Sequence, residues 1–468
     1  MNWPLARWSR RRWAVVLACS LPMVALAFTE YFYFFPMTPL FLARAKDVRV
    51  PPKKGAIRLA FVGDVMLADA GRRILKRKGY DYPFGAVRPL LASADLLVGN
   101  LEGPIAVRAR RNRAKRWSYK MPPEVAGALH RAGFRAMTLA NNHSLDCGAA
   151  GLDETRWYLG HNGIVAFGGG RNERQAHRAM VMDVGPLRVA LLGYLAPYTL
   201  VAGRIQSMVG LAAGPRRAGA ALARPEALRR DIAAARSQAD LVVVFLHIGG
   251  RYQALPTDFE RELCHEAVEA GAQIVVACGT HIMGPMERYR GVPIFYSLGN
   301  FTFGSGNIRA RFSLVGLVDL SPDGRWQAAY ALPIYTVNWN PYVWFQPRLL
   351  RGFMARRVLG RLAQQSARYG TNLTVMSRWA RLDRSARAER SVQAERLAGS
   401  ARAERLVVPW QPRPDPFLRL DRLGSMSVRL DWSACCRPND RHPAAFRIES
   451  QNPNASVWTS IPGGRATR

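Results

Sequence analysis

The chain has 468 residues, 49% of them hydrophobic, which is enough to bury one large core or two ordinary ones. Its formal net charge is +34, yet the arginines that dominate this charge form no recognisable RNA- or DNA-binding module, and we expect no nucleic-acid partner. Six cysteines are too few to indicate a disulfide framework in a chain of this length.

The N-terminus has the pattern of an export signal. Arginines at 7–12 precede an apolar stretch at 13–28 and an aromatic cluster that ends at Phe35. Ala-Leu-Ala at 25–27 offers a cleavage site for a secreted product, but the aromatic cluster makes the segment long enough to span a bilayer, and we favour an anchor. We therefore predict a signal-anchor at 1–35, a linker at 36–54, and a single-pass protein of the cytoplasmic membrane whose main domain, 55–345, is extracytoplasmic.

From residue 57 onward, short apolar runs rich in β-branched side chains alternate with amphipathic stretches of helical period. The runs are IRLAFVG, ADLLVG, FRAMTLA, LRVALLG, ADLVVVFL and AQIVVACG, which we interpret as strands. Segments 124–133, 225–238 and 258–270 are interpreted as helices between them. This alternation predicts a layered α/β domain. Ser-Pro-Asp-Gly at 321–324 predicts a hairpin of antiparallel strands that closes the sheet.

The composition changes after the predicted domain. Residues 346–410 repeat Ala, Arg and Glu with little apolar face, and we interpret them as a solvent-exposed helical extension that cannot bury much surface. Residues 411–468 are rich in Pro, Arg and Ser, which predicts a mostly disordered tail.

Polar side chains with metal-binding chemistry follow five of the predicted strands. They are Asp64, Asn100, Glu102, Asn142, His143, His247 and His281. The carboxyl ends of the strands in an α/β sheet converge on one crevice, so residues far apart in the chain are expected to meet there. The mixture of carboxylate, amide and imidazole suits Mn, Zn or Fe rather than a cysteine-bound structural zinc. We therefore predict that one divalent metal ion binds at this crevice.

Asp146 has two interpretations. It follows His143 by three residues and can orient the imidazole as its hydrogen-bond partner. It also precedes a predicted helix that begins near Gly148, and it can cap the N-terminus of that helix. The sequence leaves both interpretations open.

Six motifs resemble, in order, those of the CapA family of bacterial capsule synthesis proteins, which are associated with poly-γ-glutamate capsules. The motifs are GDVML, GNLEGPI, LANNHSLDCGAAGLDET, FLHIGG, CGTHIMGPME and PIFYSLGNF, within residues 57–337. That family is similar to the calcineurin-like metallophosphoesterases. The resemblance implies an α/β fold of four layers, an α-β-β-α sandwich with two packed sheets between helices.

The resemblance also implies a role for each strand-end residue. Metal ligands are expected at Asp64, Asn100, Glu102, Asn142, His247 and His281. His143 matches the histidine that acts as general acid in phosphoesterases, and with Asp146 it forms the predicted catalytic pair. Arg251 and Asn300 are predicted to bind substrate.

The chain departs from the patterns of CapA proteins and phosphoesterases at four positions. Met66 stands where phosphoesterases carry a second histidine, Arg251 where CapA proteins usually have a glutamate, and Met283 where they usually have a histidine. Asn100 is neutral where a carboxylate bridges two metal ions in phosphoesterases. These changes favour one tightly bound metal ion at most, and leave open that none binds.

Three functions are compatible with these residues. The first is a metal-dependent hydrolase or transferase in capsule or exopolymer synthesis. The second is a non-catalytic envelope protein that binds or guides an anionic polymer, and the third is a metallophosphoesterase acting on another phosphoester. The expected partners are the cytoplasmic membrane and an anionic polymer or its synthesis machinery.

Overall fold

The computed structural model describes residues 40–384, apart from 52, 54, 202–203, 305–306 and 337–342. Its α-helices are α1 (Arg72–Lys78), α2 (Arg88–Leu91), α3 (Glu124–Arg131), α4 (Gly148–His161), α5 (Glu173–Ala176), α6 (Pro225–Arg236), α7 (Asp258–Glu269) and α8 (Gly352–Ala367). Its strands are β1 (Ile57–Met66), β2 (Leu96–Leu101), β3 (Phe134–Thr138), β4 (Val165–Phe167), β5 (Gly169–Gly170), β6 (Met180–Val184), β7 (Leu187–Leu195), β8 (Tyr198–Val201), β9 (Arg204–Ser207), β10 (Gly219–Ala220), β11 (Leu241–His247), β12 (Ile274–Cys278), β13 (Met286–Tyr289), β14 (Val292–Phe295), β15 (Asn300–Phe303), β16 (Phe312–Leu320), β17 (Trp326–Tyr335), β18 (Arg348–Leu349), β19 (Thr374–Val375) and β20 (Ala380–Asp383).

Most of these strands belong to two large sheets. The first has the order β19-β20-β17-β16-β1-β2-β3-β4, with β15 paired to β1 and β18 paired to β17. The second has the order β13-β14-β12-β11-β7-β6. Strands β1 to β4 run parallel in the first sheet, and β7, β11, β12 and β14 run parallel in the second. Each sheet therefore gathers several carboxyl strand ends at one edge.

The two sheets pack face to face. Leu59 and Phe61 of β1 share one buried core with Val243 and Phe245 of β11, because alternate residues of a strand point to the same face. The rings of Phe61 and Phe245 lie 5.7 Å apart, centroid to centroid, in an edge-to-face contact. This core joins the two middle layers.

Helices cover the outer face of each sheet. Val62 of β1 packs in a second core with Val125 and Leu129 of α3. Val244 of β11 packs in a third core that includes Leu263 of α7 and residues of α6. The predicted four-layer α-β-β-α arrangement is confirmed.

The predicted helices form where their start signals lie. Helices α3, α6 and α7 begin at the predicted residues 124, 225 and 258 and end within two residues of the predicted ends. Pro225 opens α6, where its missing N–H costs no hydrogen bond. Thr257 and Glu260 form a capping box at the start of α7.

The predicted hairpin is also present, between antiparallel strands β16 and β17. Gly324 in this turn has φ of 81°, a left-handed conformation that glycine adopts without a Cβ penalty.

The structure corrects the predicted domain boundary at 345. Strands β18 and β20 pair with β17, and α8 buries an apolar face in the core between the sheets. That face consists of Met354, Val358, Leu359 and Leu362. The surrounding Arg and Ala obscure the helical spacing of these residues in the sequence. The described part of 346–410 packs against the domain and is not an exposed extension. The predicted tail at 411–468 lies outside the described residues.

The predicted localisation in the cytoplasmic membrane is contradicted. Within the part of the chain that the structure describes, no helix is both long and apolar enough to cross a bilayer. The predicted signal-anchor at 1–35 lies outside the described residues.

Candidate functional site

Asp64 is directed into the site by an irregularity in β1. The register of β1 shifts against β2 between Phe61 and Asp64, as expected where a bulge re-aims a side chain. Gly63 permits this path, since a Cβ at that position would lie 1.8 Å from the Gly299 carbonyl oxygen. The Asp64 backbone N–H donates to the same carbonyl at 3.0 Å. Asp64 is thus fixed, fully buried, near the carboxyl end of β1.

Two asparagines orient Asp64. The Asn100 side-chain amide donates to Asp64 Oδ1 at 2.9 Å, and Asn141 Nδ2 donates to Asn100 Oδ1 at 2.9 Å. Asn141 also donates to the backbone carbonyl of Leu101 at 2.8 Å. The oxygen of Asn100, predicted as a metal ligand, is therefore engaged by Asn141. Asn100 positions the Asp64 carboxylate through its N–H group.

His281 lies between carboxylates. Its Nδ1 is 3.2 Å from Asp64 Oδ2 in an ion-pair contact and 2.9 Å from Asn300 Oδ1, and its Nε2 is 3.9 Å from Glu102 Oε1. The backbone φ of 63° is unusual for a residue with a Cβ and is typical of functional sites. Burial acts to lower the pKa of His281, but Glu102, Asp64 and Asn300 together raise it to about 9. Asn300, predicted to bind substrate, is buried and orients His281.

Glu102 is the most unusual group of the site. It is fully buried, and neither carboxylate oxygen has a hydrogen-bond partner among the described residues. Burial, followed by the negative charge of Asp64, raises the pKa of Glu102 well above its usual range. Asp64 Oδ2 and Asn142 Oδ1 are likewise buried without an aligned hydrogen bond. A buried carboxylate such as Glu102, with no hydrogen bond to either oxygen, is costly without a cation beside it, so the residues present fit a divalent metal ion.

His143 forms a pair with Asp146. Its Nδ1 is 2.7 Å from Asp146 Oδ2, and its Nε2 is 3.7 Å from Glu102 Oε1. Burial outweighs Asp146 and lowers the pKa of His143, so at neutral pH the imidazole is neutral and donates its Nδ1–H to Asp146. Helix α4 has Cys147 at its N-cap and no side-chain cap bond. Asp146 therefore orients His143 and does not cap α4.

Lys115 and Tyr119 contact both members of the His143–Asp146 pair. Lys115 Nζ donates to Asp146 Oδ1 at 2.6 Å and to the Asn142 carbonyl at 2.7 Å. The Tyr119 backbone N–H donates to Asp146 Oδ2 at 2.7 Å, and its ring lies 4.3 Å from the His143 ring. Asp146 is thus held by three donors, which fixes the direction of the imidazole.

His247 and Cys278 also lie close to Asp64. His247 Nδ1 is 3.4 Å from Asn100 Nδ2 and 3.7 Å from Cys278 Sγ. Burial lowers the pKa of His247 to about 4, so its imidazole is neutral at pH 7 and able to bind a metal ion. Two groups of three potential ligands share Asp64: one with Glu102 and His281, the other with His247 and Cys278.

A cleft of about 310 Å³ opens onto these residues. Asn142, His143, His247 and His281 line this cleft, and its other lining residues include Arg116, Trp117 and Arg251. Arg251 is exposed, with its guanidinium 5.4 Å from the Tyr252 ring centroid. An adjoining groove of about 470 Å³ shares Arg116 and Trp117 with the cleft and adds Arg111, Arg113 and Lys115. The approach to the site is strongly cationic.

The structure brings all the predicted site residues to one region, either in the buried cluster or along the cleft. Sequence reasoning missed Lys115, Tyr119 and Cys278 as site residues. Lys115 was hidden in a basic run attributed to overall composition, and Cys278 in an apolar strand. Lysine, tyrosine and cysteine are residue types that often occur in functional sites, but only the tertiary fold shows which side chains these three contact.

Comparisons with known proteins agree with the motifs. The model of the family described as "Bacterial capsule synthesis protein PGA_cap" matches residues 58–305. The PGA biosynthesis protein CapA of Bacillus subtilis is 32% identical over 267 residues, covering 57% of this chain and 68% of that protein. The capsule biosynthesis protein CapA of Bacillus anthracis is 32% identical over 275 residues, covering 57% and 65%. A solved phosphatase from Mycoplasma pneumoniae is 14% identical, with a TM-score of 0.38 over 60% of this chain and 94% of its own, a likeness too low to carry an argument.

Proposed function

Because the chain belongs to the PGA_cap family of bacterial capsule synthesis proteins, as its motifs predicted, we propose that it is a metal-dependent hydrolase or transferase of capsule or exopolymer synthesis. One observation carries the proposal. Glu102 is a fully buried carboxylate with no hydrogen-bond partner among the described residues, and it faces His143 and His281. A structural glutamate would be paired, whereas one that binds a cation is left open to it.

The residues that would hold the metal ion are Asp64, Glu102 and His281, and His281 would release a proton as the ion binds. His247 and Asn142 line the same cleft. A divalent ion such as Mn, Zn or Fe supplies Lewis-acid polarisation of a phosphoryl or carbonyl oxygen. Asn100 and Asn300 keep Asp64 and His281 in fixed orientations, so little reorganisation accompanies binding.

His143 is the residue that moves a proton. Its Nδ1–H is committed to Asp146, so Nε2 is the atom that exchanges a proton with the substrate. Asp146 stabilises the imidazolium when Nε2 is protonated, and Lys115 holds Asp146 in place. In this scheme neutral His143 first accepts at Nε2 the proton that the attacking water or acceptor amine releases, and then delivers that proton to the leaving group; Asp146 is a positioning residue.

The substrate is an anionic polymer of poly-γ-glutamate type. This proposal is supported by the cationic approach formed by Arg111, Arg113, Arg116 and Arg251 along the groove and the cleft. Opposite charge attracts the polymer and concentrates it at the site, an effect that weakens as salt rises. Its synthesis machinery is the proposed partner.

The test is metal-dependent turnover by the full-length protein. Protein stripped with a chelator is assayed on poly-γ-glutamate, with and without an amine acceptor, and on a phosphodiester as a separate substrate. We expect cleavage or transfer of the polymer that returns with Mn, Zn or Fe and is lost in His143→Ala. Turnover of the phosphodiester alone would instead support a metallophosphoesterase acting on another substrate. Full activity in the chelator would overturn the proposal.

A second candidate is a non-catalytic protein that binds or guides the polymer. It is favoured by Met66 and Met283, which are buried in the hydrophobic cores at positions where the resemblance to phosphoesterases and to CapA proteins, respectively, predicts a histidine. Polymer binding that is independent of metal, together with no turnover under any metal condition, would support this candidate.

A further inference from the structure

A thiol lies beside the candidate metal site. Cys278 is the last residue of β12 and is directly paired with His247 at the end of β11. Its Sγ is 3.7 Å from His247 Nδ1. One ligand atom each from Asp64, His247 and Cys278 lie within 4.8 Å of one another, and all three residues are buried. The proposed function makes no use of this thiol.

The spacing suits a metal ion that sulfur and nitrogen share. Two ligands of one tetrahedral zinc, with sulfur at about 2.3 Å and nitrogen at about 2.05 Å, lie about 3.5 Å apart. The observed separation of 3.7 Å between Cys278 Sγ and His247 Nδ1 therefore requires little movement. Asp64 supplies the third potential ligand atom, a buried carboxylate oxygen within 4.8 Å of the other two.

The other cysteines in the described residues have different surroundings. Cys264 lies in α7 and packs into the core between α7 and the second sheet, while Cys147 packs against Ala106 and Ala109. Buried cysteine usually behaves as a small apolar residue, and these two fit that role. Cys278 differs because its sulfur faces an imidazole and a carboxylate.

We propose that Asp64, His247 and Cys278 form a thiolate-containing metal subsite that favours zinc, or another thiophilic ion, over manganese and magnesium. This inference rests on the metal site of the proposed function, and it specifies that the bound ion is a thiophilic one. Thiolate is a soft ligand that favours zinc and is poorly matched to manganese or magnesium. As the sulfur–metal bond forms, the thiol proton passes to the buffer. Asp64 links this subsite to Glu102 and His281.

The test uses the full chain, stripped of metal and titrated with cobalt as a spectroscopic substitute for zinc. Wild-type protein should develop an intense near-ultraviolet thiolate-to-cobalt charge-transfer band. Cys278→Ser and Cys278→Ala should lack the band, while Cys264→Ser and a Cys435→Ser/Cys436→Ser variant should retain it. In competition titrations, Cys278→Ser should lower zinc affinity by about tenfold or more and change manganese affinity by less than about threefold.

A second measurement needs no variant. Zinc-edge X-ray absorption of the wild-type protein should show one sulfur neighbour at about 2.3 Å. If the wild-type protein binds metal with no sulfur neighbour and no charge-transfer band, the Cys278 proposal fails and the metal site stands. If it is folded and takes up no divalent ion, both proposals fail.

Discussion

His143 and Asp146 lie three residues apart and are joined by a contact of 2.7 Å between Nδ1 and Oδ2, with Lys115 2.6 Å from the other Asp146 oxygen. The same loop thus supplies a proton-transfer group and the carboxylate that selects its tautomer. Neutral imidazole with Nδ1–H on Asp146 leaves Nε2 as the reactive atom.

Asp146→Asn should therefore act on turnover more than on binding. Asparagine can present an N–H to His143 Nδ1 and so favour the wrong tautomer, and we expect kcat to fall by about 10²–10⁴-fold with KM changed little. Metal content should stay at the wild-type level. The measurement is steady-state kinetics across pH. A rise in KM with kcat unchanged, or a loss of bound metal, would show that Asp146 has a structural role.

The buried ion pair of Arg58 and Asp319 should be sensitive to single substitutions. Arg58 Nε and Nη2 donate to the two Asp319 oxygens at 2.6 Å each, and both residues are almost inaccessible. Asp319→Asn leaves a buried guanidinium uncompensated and should lower the free energy of unfolding by about 3–5 kcal/mol. Urea denaturation measures the loss.

The matched control for this pair is Asp81→Asn. Arg131 and Asp81 form a bidentate pair at 2.9 Å, but both side chains are about half exposed. We expect a loss within about 1 kcal/mol, because solvent screens the pair. Equal losses for Asp319→Asn and Asp81→Asn would contradict the burial argument.

Arg251 should contribute to polymer binding and leave metal binding unchanged. Its guanidinium is exposed at the cleft and lies over Tyr252. Arg251→Gln should weaken binding of poly-γ-glutamate by about three- to fivefold at low salt, with the difference shrinking as salt rises. Arg325→Gln, on the β16–β17 hairpin, is the control. If calorimetry finds the same loss of polymer affinity for both variants, Arg251 does not bind the polymer specifically.

Glu154 should stabilise the loop before Lys115 in a pH-dependent way. Its carboxylate accepts hydrogen bonds from the backbone N–H groups of Val107, Arg108 and Ala109 at 2.6–3.0 Å. Slight burial acts to raise the pKa of Glu154, but these three donors lower it below the usual value of 4.5. A depressed pKa in the folded state means that the stabilisation is complete above the unfolded-state pKa and is lost as pH falls through the folded-state pKa.

Glu154→Gln should accordingly lower stability by about 1 kcal/mol at pH 7, a value reduced by solvent exposure. The difference from wild type should shrink as pH falls below about 4.5. Urea denaturation at a series of pH values measures it. A difference that grows towards low pH would have the wrong sign and refute the assignment.

The strand ends were predictable from the sequence because two local signals coincide there. An apolar β-rich run followed at once by Asp, Asn or His places the polar residue at the carboxyl edge of a sheet, and the order of parallel strands then brings Asp64, His247 and His281 together. The capping box at Thr257 and the proline at 225 similarly mark helix starts by local chemistry.

Other features depend on partners that local sequence does not specify. The side chain of Asn100 accepts a hydrogen bond from Asn141 and donates one to Asp64, so it orients Asp64, a role that the sequence did not predict. Lys115 becomes a site residue only because an irregular loop crosses the end of β3 and reaches Asp146. The apolar face of α8 is narrow and lies among arginines, so the sequence does not predict that this helix packs into the core between the two sheets.

The central claim is that the buried carboxylates bind a divalent cation, and titration calorimetry on chelator-stripped, full-length protein tests it most directly. Wild-type protein should bind at least one equivalent of zinc or manganese. Glu102→Gln should bind it about 100-fold more weakly or worse, a loss of about 2.7 kcal/mol or more, because one negative charge is removed beside the cation. Glu260→Gln, which alters a buried carboxylate in the α7 capping box, should bind as wild type does. Folded wild-type protein that binds no cation, or Glu102→Gln that binds it as tightly, would contradict the account.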